Sequence, residues 1–217
     1  MEVWVVIPVR RLKNAKSRLS KVLDERLRRE FSVKMFLDVL DSVVSCGSVK
    51  RVLVVTPDTD VLKFSRSFGV ETLFEEFEEG VNKAVFKALN HCVREEFLPI
   101  VVLPSDVPLL QPEDLDRVVR MGCREPSVVI SPSLRFDGTN LLFLNPPNIL
   151  KTFYYEQNSF FSHLAECFRL GVKVSVYVSR RIMLDVDCYE DLAEFLRLGE
   201  GKNSYRFLRE KGLKLLG

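Results

Sequence analysis

Two patterns of apolar residues alternate along the chain. Short β-branched runs, such as residues 3–9 and 51–56, are almost uninterrupted by polar side chains, which is typical of strands buried on both faces. Between residues 24 and 46 apolar side chains recur every fourth position, the spacing of one helix face. This alternation predicts an α/β fold, with a mostly parallel central sheet and helices on both faces.

The same two patterns predict the remaining elements. Further strands are expected at residues 70–74, 100–103, 127–130, 141–144, 172–178 and 182–186. Further helices are expected at residues 60–68, 81–97, 160–170 and 189–198, from Pro112 onward, and over the last 15 residues. Residues 172–178 alternate apolar and polar, which indicates an edge strand. No linker divides the chain, so we expect a single domain, 1–217.

The fold class predicts where a ligand would bind. Open parallel sheets bind ligands beyond the carboxyl ends of their strands. The residues just after Val9, Leu103 and Leu144, and those near Asp185, are therefore expected to converge.

Composition narrows the class of protein. The chain has 217 residues, of which 47% are hydrophobic, and 32 basic against 30 acidic side chains give a net charge of +2. This balance argues against disorder and against non-specific nucleic-acid binding. No apolar run is long enough for a membrane span, and the first residues lack the order of a secretory signal, so we expect a cytoplasmic protein. The five cysteines form no CxxC pair, which disfavours a zinc site.

The loop after the first strand is strongly basic. It carries five cations in nine residues: Arg10, Arg11, Lys13, Lys16 and Arg18. The Walker pattern is absent, but cations in a strand-end loop suit a triphosphate. The alternative is a solvated basic surface loop.

Three aspartates are candidate metal ligands. Asp106 follows the buried strand at 100–103, between Pro104 and Pro108, while Asp185 and Asp187 lie two residues apart in an extended segment and should face one side. Carboxylate oxygens are the ligands that a hard divalent cation prefers. The alternatives are a turn aspartate at Asp106 and a helix cap at Asp187.

Several uncharged polar residues are candidate ligand contacts. Thr139 and Asn140 precede an apolar strand and offer hydroxyl and amide groups to an anion, and Ser159 stands near a helix start that also favours anions. His163, one turn later, could be catalytic or a packing residue. Asn82 could cap its helix or contact a nucleobase.

In this order, these residues resemble the CofC family of nucleotidyltransferases, the 2-phospho-L-lactate guanylyltransferases of coenzyme F-420 biosynthesis. Six matching pieces run from about residue 6 to residue 192. They are Pro8 with Lys16-Ser17-Arg18-Leu19, Gly80-Val81-Asn82, Leu103-Pro104-Ser105-Asp106-Val107-Pro108, Gly138-Thr139-Asn140, Ser159-Phe160 with His163, and Leu184-Asp185-Val186-Asp187 with Glu190-Asp191-Leu192.

The resemblance implies a GT-A-like nucleotidyltransferase fold and a reaction. GTP and 2-phospho-L-lactate, or a related phospho-acid such as phosphoenolpyruvate, would give a diphospho-guanosine product and pyrophosphate. By the same resemblance Asp106, Asp185 and Asp187 would hold Mg²⁺, and Lys16, Arg18 and Asp106 would be catalytic. The expected nucleotide contacts are Pro8, Arg10, Lys16, Gly80, Asn82, Pro104 and Ser105. The expected acceptor contacts are Thr139, Asn140, Ser159 and His163.

The chain departs from the family pattern at two places near this site. Arg10 stands where the family usually has Lys, and Glu156 stands where it often has Gly. Two alternatives remain: another nucleotidyltransferase of this fold, of the molybdopterin guanylyltransferase or sugar- or alditol-phosphate cytidylyltransferase type, or a non-catalytic nucleotide-binding module. A homodimer could form through residues 172–178 and the C-terminal helix.

Overall fold

A computed structural model shows one seven-stranded sheet. It describes residues 1–76, 78–124, 126–152 and 158–213. The strand order across the sheet is β3-β2-β1-β4-β6-β5-β7. The strands are β1 (Val3–Pro8), β2 (Val49–Thr56), β3 (Glu71–Phe74), β4 (Ile100–Val102), β5 (Ser127–Pro132), β6 (Thr139–Asn145) and β7 (Lys173–Val176). As expected from its alternating pattern, β7 lies at an edge.

Helices connect and cover these strands. They are α1 (Glu25–Val44), α2 (Thr59–Ser67), α3 (Val81–Glu95), α4 (Pro112–Met121), α5 (Ser159–Leu170), α6 (Arg180–Met183), α7 (Tyr189–Leu198) and α8 (Asn203–Glu210). Two short 3-10 helices, Leu12–Asn14 and Ser17–Leu19, shape the basic loop after β1. The predicted start of α1 is confirmed, because the Asp24 carboxylate accepts a hydrogen bond from the Leu27 N–H at 2.8 Å.

Alternate residues of β1 show that both faces of the sheet are covered. Val3, Val5 and Ile7 pack in one apolar cluster together with side chains of α1 and α4. Trp4 and Val6 point the other way, into a cluster with α3 and α5. The predicted architecture of helices on both faces of a mostly parallel sheet is therefore confirmed. Of the described helices, none is both long and apolar enough to cross a membrane.

One strand runs against the others. β6 pairs antiparallel with both β4 and β5, whereas the remaining neighbours pair in parallel. The expectation that the residues after Leu144 reach the ligand site is therefore wrong. The carboxyl end of β6 lies where β1 and β4 begin, at the end of the sheet opposite the expected ligand site. The first residue of β6, Thr139, lies beside the carboxyl end of β4.

The predicted strand at 182–186 is also wrong. Ile182 and Met183 belong to the short helix α6, where both N–H groups donate to the Ser179 carbonyl. The chain then continues in extended form without joining the sheet. Leu184 and Val186 are nevertheless buried, because they pack in a third apolar cluster with side chains of α1, α7 and α8. Burial of this apolar run is thus achieved without strand pairing.

Candidate active site

A cleft of about 980 Å³ opens at the carboxyl ends of β1 and β4 and at the beginning of β6. Its walls come from segments distant in sequence: the basic loop, residues 104–106, residues 137–140, the start of α5, and the loop after α6. The strand-end rule therefore placed most of this cleft correctly. Most of the candidate side chains line it: Pro8, Arg10, Lys16, Arg18, Pro104, Ser105, Asp106, Thr139, Asn140, Ser159, Asp185 and Asp187.

Lys16 lies at the centre of the charged part of the cleft. Its Nζ is 2.5 Å from Asp106 Oδ2 and 3.6 Å from Asp187 Oδ1, and its side chain is only 8% exposed. Lys16 also adopts a left-handed backbone conformation, with φ 54°, where the two 3-10 helices meet. Such a conformation is costly for a residue with a side chain, and it is maintained here by the surrounding structure.

Burial and the neighbouring charges together set the pKa values of Lys16 and Asp185. Burial lowers the pKa of Lys16, but attraction to Asp106, Asp187 and Asp185 outweighs it, so the pKa is raised overall. Burial raises the pKa of Asp185 to about 6, and repulsion from Asp106 adds to this effect. Asp106 and Asp185 therefore compete for the same positive charge.

Asn140 and a backbone hydrogen bond fix the two carboxylate segments together. Asn140 Nδ2 is 3.0 Å from the carbonyl oxygens of Ile182 and Met183 and from Asp185 Oδ1. The Val186 N–H donates to the Asp106 carbonyl at 3.0 Å. The Asn140 amide thus positions Asp185, and its role in acceptor binding stays a prediction.

Three more cations of the basic loop also face carboxylates. Arg18 Nη1 is 2.9 Å from Asp187 Oδ2, with an arginine side chain that is 72% exposed. Arg10 and Arg11 pair with Glu78, at 3.4 and 3.8 Å. The sequence reasoning missed Glu78, although the acidic run that follows β3 was a visible signal.

The opposite wall of the cleft carries a linked set of hydroxyl groups. Ser159 Oγ donates to Thr139 Oγ1 at 3.3 Å, and Thr139 Oγ1 is 2.9 Å from His163 Nδ1. Burial lowers the pKa of His163 to about 4, against an opposing hydrogen bond to the Ser159 backbone, so the imidazole is neutral near pH 7. When Nδ1 carries the proton, both lone pairs of Thr139 are occupied and its hydroxyl proton is free to point into the cleft.

His163 itself is fully buried and is not among the described residues that line the cleft. The structure therefore places it behind Thr139, where it can orient the hydroxyl group. Direct acceptor binding by His163 stays an untested prediction. Glu156, one of the departures from the family pattern, lies outside the described residues.

Gly80 and Asn82 stand at the start of α3, beside the cleft. Gly80 is the N-cap residue and has φ 97°, a conformation that favours glycine. It lines a small recess that adjoins the cleft. The side chain of Asn82 makes no cap hydrogen bond, and its buried Oδ1 has no partner among the described residues.

The carboxylate cluster fits a hard divalent cation in its chemistry. Its ligand groups are all carboxylate oxygens, which are the ligands that such a cation prefers. Within the described part of the chain no three acidic, histidine or cysteine side chains already stand together as a metal-binding set. The ammonium group of Lys16 lies against Asp106 and Asp187 instead.

Solved structures share this architecture at low sequence identity. A nucleotide-diphospho-sugar transferase from Desulfovibrio desulfuricans superposes with a TM-score of 0.78 at 15% identity, covering 98% of this chain and 96% of its own. A cytidylyltransferase from Leptospira borgpetersenii superposes with a TM-score of 0.64 at 14% identity, covering 98% and 95%. At these identities the likeness establishes the fold, which is that of nucleotidyltransferases.

Similarity in sequence is more specific. The chain is 36% identical over 210 residues to the 2-phospho-L-lactate guanylyltransferase of Methanothermobacter thermautotrophicus, covering 97% of this chain and 91% of the relative. It is 37% identical over 193 residues to the phosphoenolpyruvate guanylyltransferase of Rubrobacter xylanophilus, covering 89% and 93%. Residues 3–216 match the family described as guanylyl transferase CofC like. With sequence similarity over nearly its whole length, the chain belongs to the CofC family of guanylyltransferases.

Proposed function

We propose that this guanylyltransferase joins GMP from GTP to 2-phospho-L-lactate, or to a related phospho-acid such as phosphoenolpyruvate, and releases pyrophosphate. The reaction would be a step of coenzyme F-420 biosynthesis. A cytoplasmic location fits such a GTP-dependent reaction. The observation that carries the proposal is that Lys16, Asp106, Asp185 and Asp187 form one charged cluster, in the same cleft as the Thr139–Ser159 hydroxyl pair.

The acceptor would be held at the hydroxyl wall. Thr139 and Ser159 offer hydroxyl groups at the start of α5, where backbone N–H groups also favour an anion. The second pKa of a phosphate monoester is about 6, so the phosphate oxygens of the acceptor are already ionised at pH 7. An acceptor oxygen could then attack the α-phosphorus of GTP without a general base on the protein.

The basic loop would supply positive charge to the nucleotide. Lys16, Arg18 and Arg10 line the cleft, and Lys16 and Arg18 would balance the negative charge that develops on the departing pyrophosphate. Catalysis would then rest on positioning and charge neutralisation, as phosphoryl transfers generally do.

We further propose that Asp106, Asp185 and Asp187 hold Mg²⁺ during turnover. Bound there, the ion would supply positive charge to the phosphates and help to orient both reactants. Asn140 would maintain the position of Asp185 through the 3.0 Å contact to its Oδ1.

Pyrophosphate release, assayed for each pair of substrates, tests the proposal. GTP, ATP and CTP would each be combined with 2-phospho-L-lactate, with phosphoenolpyruvate or with no acceptor, in the presence of MgCl₂. Release with GTP that requires one of the two acceptors is the expected result. Release only with CTP, or release with none of the pairs, would contradict the proposal.

A matched pair of variants connects the activity to the cluster. Asp106→Asn should lower kcat by at least about a hundredfold with little loss of stability, because it removes one charge and preserves the side-chain shape. Asp60→Asn removes a carboxylate that pairs on the surface with Arg29 and Lys63, and it should leave kcat unchanged. Light scattering on the same preparations would test the predicted homodimer.

A further inference from the structure

Glu75 is a buried carboxylate that lacks a full set of hydrogen-bond donors. The residue is only 5% exposed, and its Oε1 has no partner among the described residues. Burial raises the pKa of Glu75; attraction by Lys87 and a hydrogen bond from the Glu79 backbone oppose this effect, and the charges of Glu78 and Glu79 add to it. A buried acceptor without a donor is costly, so its persistence indicates a ligand or another function.

The position of Glu75 links it to the nucleotide end of the cleft. It directly follows β3, and its N–H donates to the Thr56 carbonyl at the end of β2. Its side chain lines a recess of about 10 Å³ together with Gly80 and Ala84 at the start of α3. Pro8, Arg10 and Glu78 line both this recess and the main cleft, so the recess adjoins the basic loop.

The chemistry of the recess calls for a ligand that brings N–H donors. The polar groups that line it include the Glu75 carboxylate, and Glu75 Oε1 has no hydrogen-bond donor among the described residues. Ionised Glu75 can only accept hydrogen bonds, and it repels phosphate and carboxylate groups. The recess has room for about one water molecule, so a larger ligand would lie over its mouth and direct a polar edge inward.

Guanine has an edge that fits this description. Its N1–H and its exocyclic 2-amino group are adjacent donors, which a carboxylate can accept together. Adenine and cytosine present an amino group next to a ring nitrogen that is an acceptor, and this acceptor would face the carboxylate unfavourably. Resting on the guanylyl transfer proposed above, we infer that Glu75 is the residue that selects guanine, by accepting hydrogen bonds from N1–H and the 2-amino group.

The base preference of the enzyme should therefore depend on Glu75. Hydrogen bonds to charged groups are strong, so loss of the 2-amino contact should cost about tenfold to a hundredfold in kcat/KM. Inosine triphosphate (ITP) lacks only this amino group and is the matched substrate. Glutamine in place of Glu75 can donate as well as accept, which suits the adenine edge and removes the charge that favours guanine.

Three proteins should be compared: the unaltered chain, Glu75→Gln, and the control Glu76→Gln, which changes the adjacent exposed glutamate. For each protein, kcat/KM would be measured with GTP, ITP and ATP, and Kd for each nucleotide would be measured by calorimetry. In Glu75→Gln the GTP-to-ITP preference should fall to within about threefold, and the ATP-to-GTP ratio should rise at least about tenfold. The acceptor KM should be unchanged, and Glu76→Gln should behave as the unaltered chain does.

Two results would overturn the role of Glu75. One is a GTP-to-ITP preference that Glu75→Gln leaves intact, and the other is an unaltered enzyme that does not distinguish GTP from ITP. If no nucleotide releases pyrophosphate, the proposed function fails, and the ratio of Kd values for GTP and ITP still decides the role of Glu75. A melting temperature of Glu75→Gln at or above that of the unaltered chain is expected, since the substitution removes an uncompensated buried charge.

Discussion

His163 should make the stability of the protein depend on pH in a way that can be isolated by one substitution. The side chain is fully buried, and burial lowers its pKa from 6.5 to about 4. Below pH 6.5 the unfolded chain therefore binds a proton that the folded protein resists. Stability from this group is fully present above pH 6.5 and is lost as the pH falls toward 4.

The magnitude follows from the two pKa values. The difference between 6.5 and about 4, at about 1.4 kcal/mol for each pH unit, amounts to about 3 kcal/mol of unfolding free energy. The matched variant is His163→Asn, because an asparagine amide can take the place of Nδ1 beside Thr139 and does not titrate. Urea unfolding of both proteins would be measured at intervals from pH 7.5 to pH 4.5.

The comparison with the variant is needed because Asp185 acts with the opposite sign. Burial raises the pKa of Asp185 to about 6, above its ordinary value of 3.8. Its contribution is therefore present below pH 3.8 and is lost as the pH rises through 6. Both proteins carry Asp185, so the difference in their unfolding free energies isolates His163.

We expect the unaltered protein to lose between about 2 and 3 kcal/mol relative to His163→Asn between pH 7.5 and pH 4.5. A difference that stays constant across this range would show that His163 is not held neutral by burial. A difference that shifts in favour of the unaltered protein at low pH would show that the imidazolium has a partner in the folded state. Either outcome would refute the view that a neutral imidazole orients Thr139.

Two further predictions concern the Thr139–Ser159 hydroxyl pair and the buried Asp114. Thr139→Val keeps the shape of the side chain and removes its hydroxyl group. In steady-state assays the KM for the phospho-acid should rise at least about tenfold, while the KM for GTP stays unchanged. Equal increases in both KM values would contradict a role of Thr139 in acceptor binding. Arg181→Ala should lower the unfolding free energy by about 2 kcal/mol in urea, because fully buried Asp114 loses two hydrogen bonds of 2.7 Å. Arg180→Ala, which breaks the exposed pair with Glu194, should lower the unfolding free energy by less than about 0.5 kcal/mol. Equal losses of unfolding free energy in Arg181→Ala and Arg180→Ala would refute the view that Asp114 depends on Arg181.

The pattern of apolar residues predicted most of the fold because burial largely determines where strands form. Strands β1, β2 and β4 are apolar on both faces, and their positions followed from the sequence. The direction of β6 did not, since an apolar run carries no information about which way it pairs. The short helix α6 was mistaken for a strand for a related reason: Ile182 and Met183 are buried whether or not they join the sheet.

The parts of the candidate site that lie at strand ends were predictable from the sequence. The parts whose position depends on how β3 pairs with β2 were missed. The placement of Asp106 followed from the strand that precedes it. Glu75 lies in an acidic run that resembles a solvated surface. Its burial results from the pairing of β3 beside β2, which continues to the contact between Glu75 N–H and the Thr56 carbonyl. A single sequence does not specify such a long-range pairing.

Most cations of the basic loop pair with carboxylates of the chain itself. Lys16 contacts Asp106 and Asp187, Arg18 contacts Asp187, and Arg10 contacts Glu78. Three carboxylates and two cations at the centre of the cluster leave a net charge of −1 when Asp185 is ionised, and this charge would repel a bare triphosphate. Under the proposed function, nucleotide binding would therefore be favoured when additional positive charge accompanies the nucleotide. Pairing of these cations with carboxylates orders the loop, and phosphate groups would have to replace the contacts. We expect this exchange to favour a ligand bearing several phosphates over a single phosphate.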